Sequence, residues 1–150
     1  MKTVKDIIAQ KSRQERITML TAYDYPTASY LDEAGIDIIL VGDSLANVVL
    51  GLESTTQVGM NEMLHHTRAV VRAVKNALVV SDMPFDSYQL DPRAAVDNAR
   101  KFIEEGCQAV KLEWFEDCPK VASAIVKAGI AVMGHVGLTP QTAQKIIQYL

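Results

Sequence analysis

The sequence predicts an α/β protein built on a parallel sheet. Three observations carry this reading. Five short apolar runs alternate with longer stretches of helical character, the spacing that calls for right-handed crossovers between parallel strands. The runs are nearly continuous in Ile, Leu and Val, as suits strands covered on both faces. Four of them also end in residues that can do chemistry. IDIILVGDS ends in Asp43 and Ser44, ALVVSD in Asp82, AVKLE in Glu113 and AVMGH in His135. Parallel α/β folds place their sites at the carboxyl ends of strands.

The elements follow in order. Val4 to Ala9 reads as a short helix capped by Thr3, and Ile17 to Thr21 as the first strand. Asp24 caps the next helix, Pro26 sits in its first turn, and Gly35 ends it. The strand from Ile36 to Val41 is interrupted only by Asp37. Leu45 to Gly59 is irregular and reads as a loop over the site. Asn61 to Lys75 fits a helical period loosely, but its Glu, Met, Leu, Arg and Ala content favours a helix. Ala77 to Asp82 is the third strand. Asp91-Pro92 opens a helix that Gly106 stops, and Ala109 to Glu113 is the fourth strand. Asp117 or Cys118, with Pro119, opens a helix that Gly129 stops, and Ile130 to Gly134 is the fifth strand. Thr139-Pro140 starts a last helix. Two architectures fit this order: the front of an eight-stranded barrel, or a complete five-stranded doubly wound sheet. Strand patterning alone does not separate them.

Composition narrows the function. The 150 residues are the length of one ordinary domain, and 49% are hydrophobic, enough for a sizeable core. A net charge of −3 with scattered basic residues points away from nucleic acid. No apolar run approaches a membrane span, and the amino terminus lacks the apolar core of a signal peptide. Cys107 and Cys118 form no metal spacing and no CxxC, which fits a reduced, cytoplasmic protein.

Asp43, Asp82 and Glu113 are three oxygen donors at three strand ends, the set that a hard cation such as Mg2+ takes. Any one of them alone is equally read as a cap. Without a cation, carboxylates that converge repel one another and raise at least one pKa. Lys111 and Glu113, two apart, share a strand face while Leu112 points into the helix layer. A buried lysine there either fills a core ion pair or holds a substrate anion. Ser44, at the turn into a short helical stretch, is a carboxylate-binding hydroxyl or an ordinary helix cap. His135 closes the fifth strand as a substrate contact or a structural histidine. His65 and His66, adjacent on a helix, read as surface or packing residues. Tyr23, Tyr25 and Tyr88 follow strands and are candidates to wall a pocket or to pack under a loop. No glycine pattern matches a phosphate-binding loop.

Six ordered motifs then carry a resemblance: MLTAYDYPTA, VGDSLANVVLG, EMLHHTRAV, LVVSDMPFDSYQ, AVKLE and VMGHVGLTPQ. From about Ile17 to Gln141 the chain resembles the ketopantoate hydroxymethyltransferase (3-methyl-2-oxobutanoate hydroxymethyltransferase) family, in its amino-terminal part. The resemblance implies a (β/α)8 TIM barrel of the phosphoenolpyruvate/pyruvate superfamily, of which residues 1–150 supply a single partial domain of about five βα units. It implies transfer of a hydroxymethyl group from 5,10-methylenetetrahydrofolate to 3-methyl-2-oxobutanoate, giving 2-dehydropantoate for pantothenate and coenzyme A. It implies Mg2+ on Asp43, Asp82 and Glu113, and oxoacid contacts at Asp43, Ser44, Asp82 and Lys111, with His135 lining the same pocket. A homo-oligomer is the expected assembly.

The chain departs from the family pattern where Trp114-Phe115 replaces a glycine-rich turn after KLE, and where VGMNEM stands for VTVDEM. The family's proton acceptor, a glutamate closing the sixth strand, falls beyond Leu150, so no catalytic base is expected within this chain. The chain alone is therefore expected to turn over poorly and to associate through open strand edges. Other readings are a Mg2+-dependent oxoacid carbon–carbon lyase or mutase of the same superfamily, or a non-catalytic remnant. A cysteine nucleophile would favour the lyase, but neither Cys107 nor Cys118 lies at a strand end.

Overall fold

Five strands, β1 (Met19–Thr21), β2 (Ile38–Val41), β3 (Leu78–Asp82), β4 (Ala109–Glu113) and β5 (Ala131–His135), form one parallel sheet in sequential order. The computed structural model describes residues 1–89 and 91–142. Its helices are α1 (Val4–Ser12), α2 (Tyr25–Glu33), α3 (Leu45–Val48), α4 (Met60–Ala73), α5 (Pro92–Glu104) and α6 (Cys118–Lys127). Sequential order separates the two architectures. A doubly wound sheet reverses its strand order part-way, and this sheet does not. Right-handed crossovers in one direction put α2, α4, α5 and α6 on one face, the arrangement of a barrel wall.

Alternation along the strands divides the apolar residues into two layers. Ile39, Val41, Val79, Val110 and Leu112 face the helices, packing with Met63, Val70, Phe102, Val121 and Ile125. Ile38, Leu40, Leu78, Val80 and Ala109 face the opposite, inner side, with Met19, Ala131 and Met133 beside them. Val4 and Ile7 of α1 pack against that inner layer, leaving a groove of about 400 Å³. Among the described residues no helix is long and apolar enough to cross a membrane.

Helix starts and stops follow the local chemistry. Thr3 and Asp6 form a capping box on α1. Asp24 accepts the N–H of Thr27 at 2.8 Å, and Asp91 accepts those of Arg93 and Ala94. Gly106 ends α5 at φ +100, and a Cβ there would lie 2.7 Å from a Val71 methyl, so only glycine fits.

β1 and β2 begin later than their apolar runs do, and the Asp37 side chain sits where they would start to pair. Its buried carboxylate takes the N–H of Thr18 at 2.7 Å and the Thr18 hydroxyl at 2.8 Å, and pairs with Lys2. This side-chain clamp takes the Thr18 N–H in place of a strand partner, while the Thr18 carbonyl still accepts the Ile38 N–H at 3.0 Å; β1 starts at Met19 and β2 at Ile38. Lys2, then the Thr18 N–H, holds the Asp37 carboxyl well below the usual range. The stretch expected to be a loop, Leu45 to Gly59, contains α3 and a 3-10 turn at Thr55–Gln57. The helix expected after Thr139-Pro140 falls outside the described residues, except for the turn at Gln141 and Thr142.

Candidate active site at the carboxyl ends of the strands

The pleat that sends Leu78 and Val80 inward sends Asp82 inward too, at the end of β3. On β4 the inward series is Ala109, Lys111 and Glu113; on β5 it is Ala131, Met133 and His135. Register completes the arrangement: Asp82 pairs with Lys111, and Glu113 with His135. Polar side chains thus continue the apolar inner face at its carboxyl-terminal end.

Two hydrogen-bonded groups result. In the first, Lys111 Nζ lies 2.7 Å from Asp82 Oδ1, and Asp82 Oδ2 accepts the N–H of Asp43 at 3.1 Å. In the second, His135 Nδ1 lies 3.1 Å from Glu113 Oε1. Gln141 joins them. Its Nε2 donates to Asp43 Oδ2 at 2.6 Å, and its backbone N–H to Glu113 Oε2 at 2.9 Å. The Tyr88 hydroxyl lies beneath, donating to Gln141 Oε1 and accepting the Glu113 N–H.

Ser44 opens α3 without capping it. Its hydroxyl instead meets that of Tyr23 at 2.8 Å, and the Tyr23 carbonyl accepts His66 Nδ1–H at 2.6 Å. Gly42 makes this possible, because a Cβ there would come within 2.8 Å of Ser44 Oγ. Tyr23 is therefore a positioning residue for Ser44. If the site takes the oxoacid that the sequence resemblance implies, Tyr23→Phe should weaken its affinity by about three- to tenfold, the worth of one modest hydrogen bond, with an unchanged melting temperature. Calorimetric titration with the oxoacid checks this; unchanged affinity removes Tyr23 from the site.

The electrostatics call for a positive charge. Asp43, Asp82 and Glu113 are all buried, with exposures of 5%, 3% and 3%, and among the described residues Lys111 is the one lysine tied to them, through Asp82. Burial, reinforced by the charge of Asp82, pushes the Asp43 carboxyl well above the ordinary range. A hard cation would relieve that strain, and the donors present are the oxygens it takes. Among the described residues, however, no three His, Cys, Asp or Glu side chains are arranged to hold a metal ion. Gln141 stands between Asp43 and Glu113.

The residues singled out from the sequence sort as follows. Asp43, Asp82, Lys111, Glu113 and His135 come together, and Ser44 adjoins them through the α3 turn. Tyr88 is buried under the site and Tyr23 borders it, whereas Tyr25 is exposed. Of the two histidines read as surface or packing residues, His65 is exposed while His66 anchors Tyr23. Gln141 was not singled out as a site residue, because a glutamine carries no charge or ligand spacing to mark it. Both cysteines are buried, and burial pushes the Cys107 thiol up to about 12, which unsuits it as a nucleophile.

The family model for ketopantoate hydroxymethyltransferase matches residues 1–150. The chain belongs to this family. It is 57% identical over 141 residues to the 3-methyl-2-oxobutanoate hydroxymethyltransferase of Acetivibrio thermocellus, covering 93% of this chain and 50% of that protein. It is 56% identical over 144 residues to the enzyme of the same name from Syntrophomonas wolfei, covering 95% of this chain and 52% of that protein. The chain thus spans about half the length of these relatives, their amino-terminal half. Among solved structures, a phosphonopyruvate hydrolase complex with oxalate and Mg++ superposes with TM-score 0.74 at 14% identity, over 89% of this chain and 52% of that one. A 2,3-dimethylmalate lyase, described as a PEP mutase/isocitrate lyase superfamily member, gives TM-score 0.67 at 16% identity, over 87% of this chain and 51% of that one. At such identities these likenesses speak for the fold alone: about five βα units of a TIM-barrel wall.

Proposed function

We propose that the chain carries the oxoacid- and cation-binding part of a ketopantoate hydroxymethyltransferase. The reaction moves a hydroxymethyl group from 5,10-methylenetetrahydrofolate to C3 of 3-methyl-2-oxobutanoate, giving 2-dehydropantoate. The observation that carries the reading is the buried cluster at the strand ends, where Asp82 pairs with Lys111 and holds the Asp43 N–H, and Gln141 links Asp43 to Glu113. Oxalate on the phosphonopyruvate hydrolase supports it, because a 2-oxo acid offers the same pair of adjacent oxygens.

Asp43, Asp82 and Glu113 would hold Mg2+, which supplies Lewis acidity at the keto and carboxylate oxygens when bound. Lys111, held by Asp82, is a fixed positive charge in a site largely closed to water. It stabilises the negative charge that develops on the keto oxygen as the C3–H bond breaks and that is given up again as C3 forms the new carbon–carbon bond. Ser44, oriented by Tyr23, offers a hydroxyl to the oxoacid carboxylate, and His135 lines the same side as Glu113. The group that takes the C3 proton is expected on the next strand, in the part of the relatives that this chain does not span. The reading extends to a cytoplasmic homo-oligomer working in pantothenate and coenzyme A synthesis.

Isothermal calorimetry tests it. 3-Methyl-2-oxobutanoate should bind the purified chain when Mg2+ is present and not after chelation. Oxoacid binding that ignores Mg2+, or none under either condition, sinks the reading.

A further inference from the structure

We propose that Gln141 gates the site: its side chain holds the space between Asp43 and Glu113 closed, and must leave before a divalent cation can bridge them. The inference rests on the function proposed above and adds a conformational step to it.

Gln141 is 6% exposed, and every polar atom of its amide has a partner. Nε2 donates to Asp43 Oδ2 at 2.6 Å and to the Met83 carbonyl at 3.3 Å. The Met83 carbonyl can only accept and the Tyr88 hydroxyl donates to Oε1, which fixes the orientation of the amide: the NH2 end faces Asp43. Oε1 takes the Tyr88 hydroxyl, whose oxygen also receives the Glu113 N–H at 3.2 Å. The Gln141 backbone N–H completes the bridge to Glu113. One residue thus gives both carboxylates donors in place of a positive ion.

Those donors exclude a cation. The hydrogens on Nε2 carry partial positive charge and point at the lone pairs that a metal would use. Turning the amide over in place is no remedy, because Oε1 would then face the Asp43 carboxylate and the Met83 carbonyl. A bridging cation and the seated side chain are therefore alternatives. Since only the open fraction binds, the closed state lowers the apparent affinity by that fraction. The seated side chain also gives the crowded, buried Asp43 carboxyl a hydrogen-bond donor.

Mn2+ serves as the probe, because free Mn2+ is counted directly by paramagnetic resonance and bound Mn2+ quenches Trp114, the single tryptophan, beside Glu113. Gln141→Met keeps the length and removes the donors, while Gln141→Glu keeps the shape and adds a negative charge. Mn2+ should bind Gln141→Met about tenfold more tightly than the parent chain, the worth of one charge-assisted hydrogen bond. Gln141→Glu should bind at least as tightly as Gln141→Met, and should melt lower without Mn2+ and recover with it. The rate of Trp114 quenching should saturate with Mn2+ concentration in the parent, where opening comes first, and rise linearly in Gln141→Met. If the parent binds Mn2+ and neither variant binds it more tightly, the gate is wrong and the proposed function stands. If neither the parent nor the variants bind Mn2+, the proposed function fails and the gate with it.

Discussion

Asp82→Asn is expected to abolish Mg2+-dependent oxoacid binding, by about 100-fold or more, while leaving the chain folded. Asp82 takes part in two interactions at once, accepting Lys111 at 2.7 Å and the Asp43 N–H at 3.1 Å. Losing its charge removes one anionic ligand and the counter-ion that orients Lys111. A charge-assisted interaction worth about 3 kcal/mol corresponds to roughly 100-fold in affinity. Sequence alone predicts that Asp82→Ala leaves the fold largely intact, as a strand-end acid contributes little packing. The structure argues otherwise, because the Lys111 side chain is only 13% exposed and would be left with a buried, unpaired charge. Alanine should therefore cost about 3–5 kcal/mol of stability, whereas asparagine keeps a carbonyl oxygen for Lys111. Calorimetry with and without Mg2+, beside a melting curve, separates the two effects. Oxoacid binding unchanged in a folded Asp82→Asn protein would remove Asp82 from the site.

The second large effect lies far from the chemistry. Asp32→Ala should destabilise the fold by about 3–5 kcal/mol and lower the melting temperature by roughly 10 °C. Asp32, buried on α2, accepts N–H groups from Lys75 at 2.9 Å, Asn76 at 3.0 Å and Ala77 at 2.7 Å, and the Asn76 side chain at 3.0 Å. It is the tie between α2 and the turn from α4 into β3, and alanine leaves these donors without an acceptor. Burial alone would raise the Asp32 carboxyl, but the N–H groups of Ala77, Lys75 and Asn76 together outweigh it and hold the carboxyl below its ordinary value of 3.8. The sign of the pH effect follows. A carboxyl lowered in the folded state contributes stability that is present above the unfolded value and is lost as pH falls through the folded one. The protein should therefore lose stability steeply below about pH 4, and Asp32→Ala should flatten that limb. Denaturant titrations between pH 2 and pH 6 measure both; a loss under 1 kcal/mol with an unchanged acid limb would contradict the account.

Much of the site was legible because its logic is local. A continuous apolar run followed by an acid is a short pattern, and strand alternation sets which side chains share a face. Asp43, Asp82, Lys111, Glu113 and His135 could be picked out on that basis, and six motifs in order named the family. Helix ends were legible for the same reason: Thr3, Asp24 and Asp91 cap within three residues of themselves.

What the tertiary structure decided involves partners distant in the chain. Strand order separates a barrel wall from a doubly wound sheet, and it depends on pairing between segments rather than on their composition. Asp37 reaches Thr18 and Lys2, Asp32 reaches a turn more than forty residues away, and His66 reaches back to Tyr23. Gln141 meets Asp43 across nearly a hundred residues. A buried carboxylate or amide is stable only where donors and acceptors converge on it, and convergence is a property of the folded chain. Residue type and strand pattern are enough to say which side chains can do chemistry and at which end of the sheet. Only the fold decided which of them touch, and that an uncharged glutamine sits among the acids.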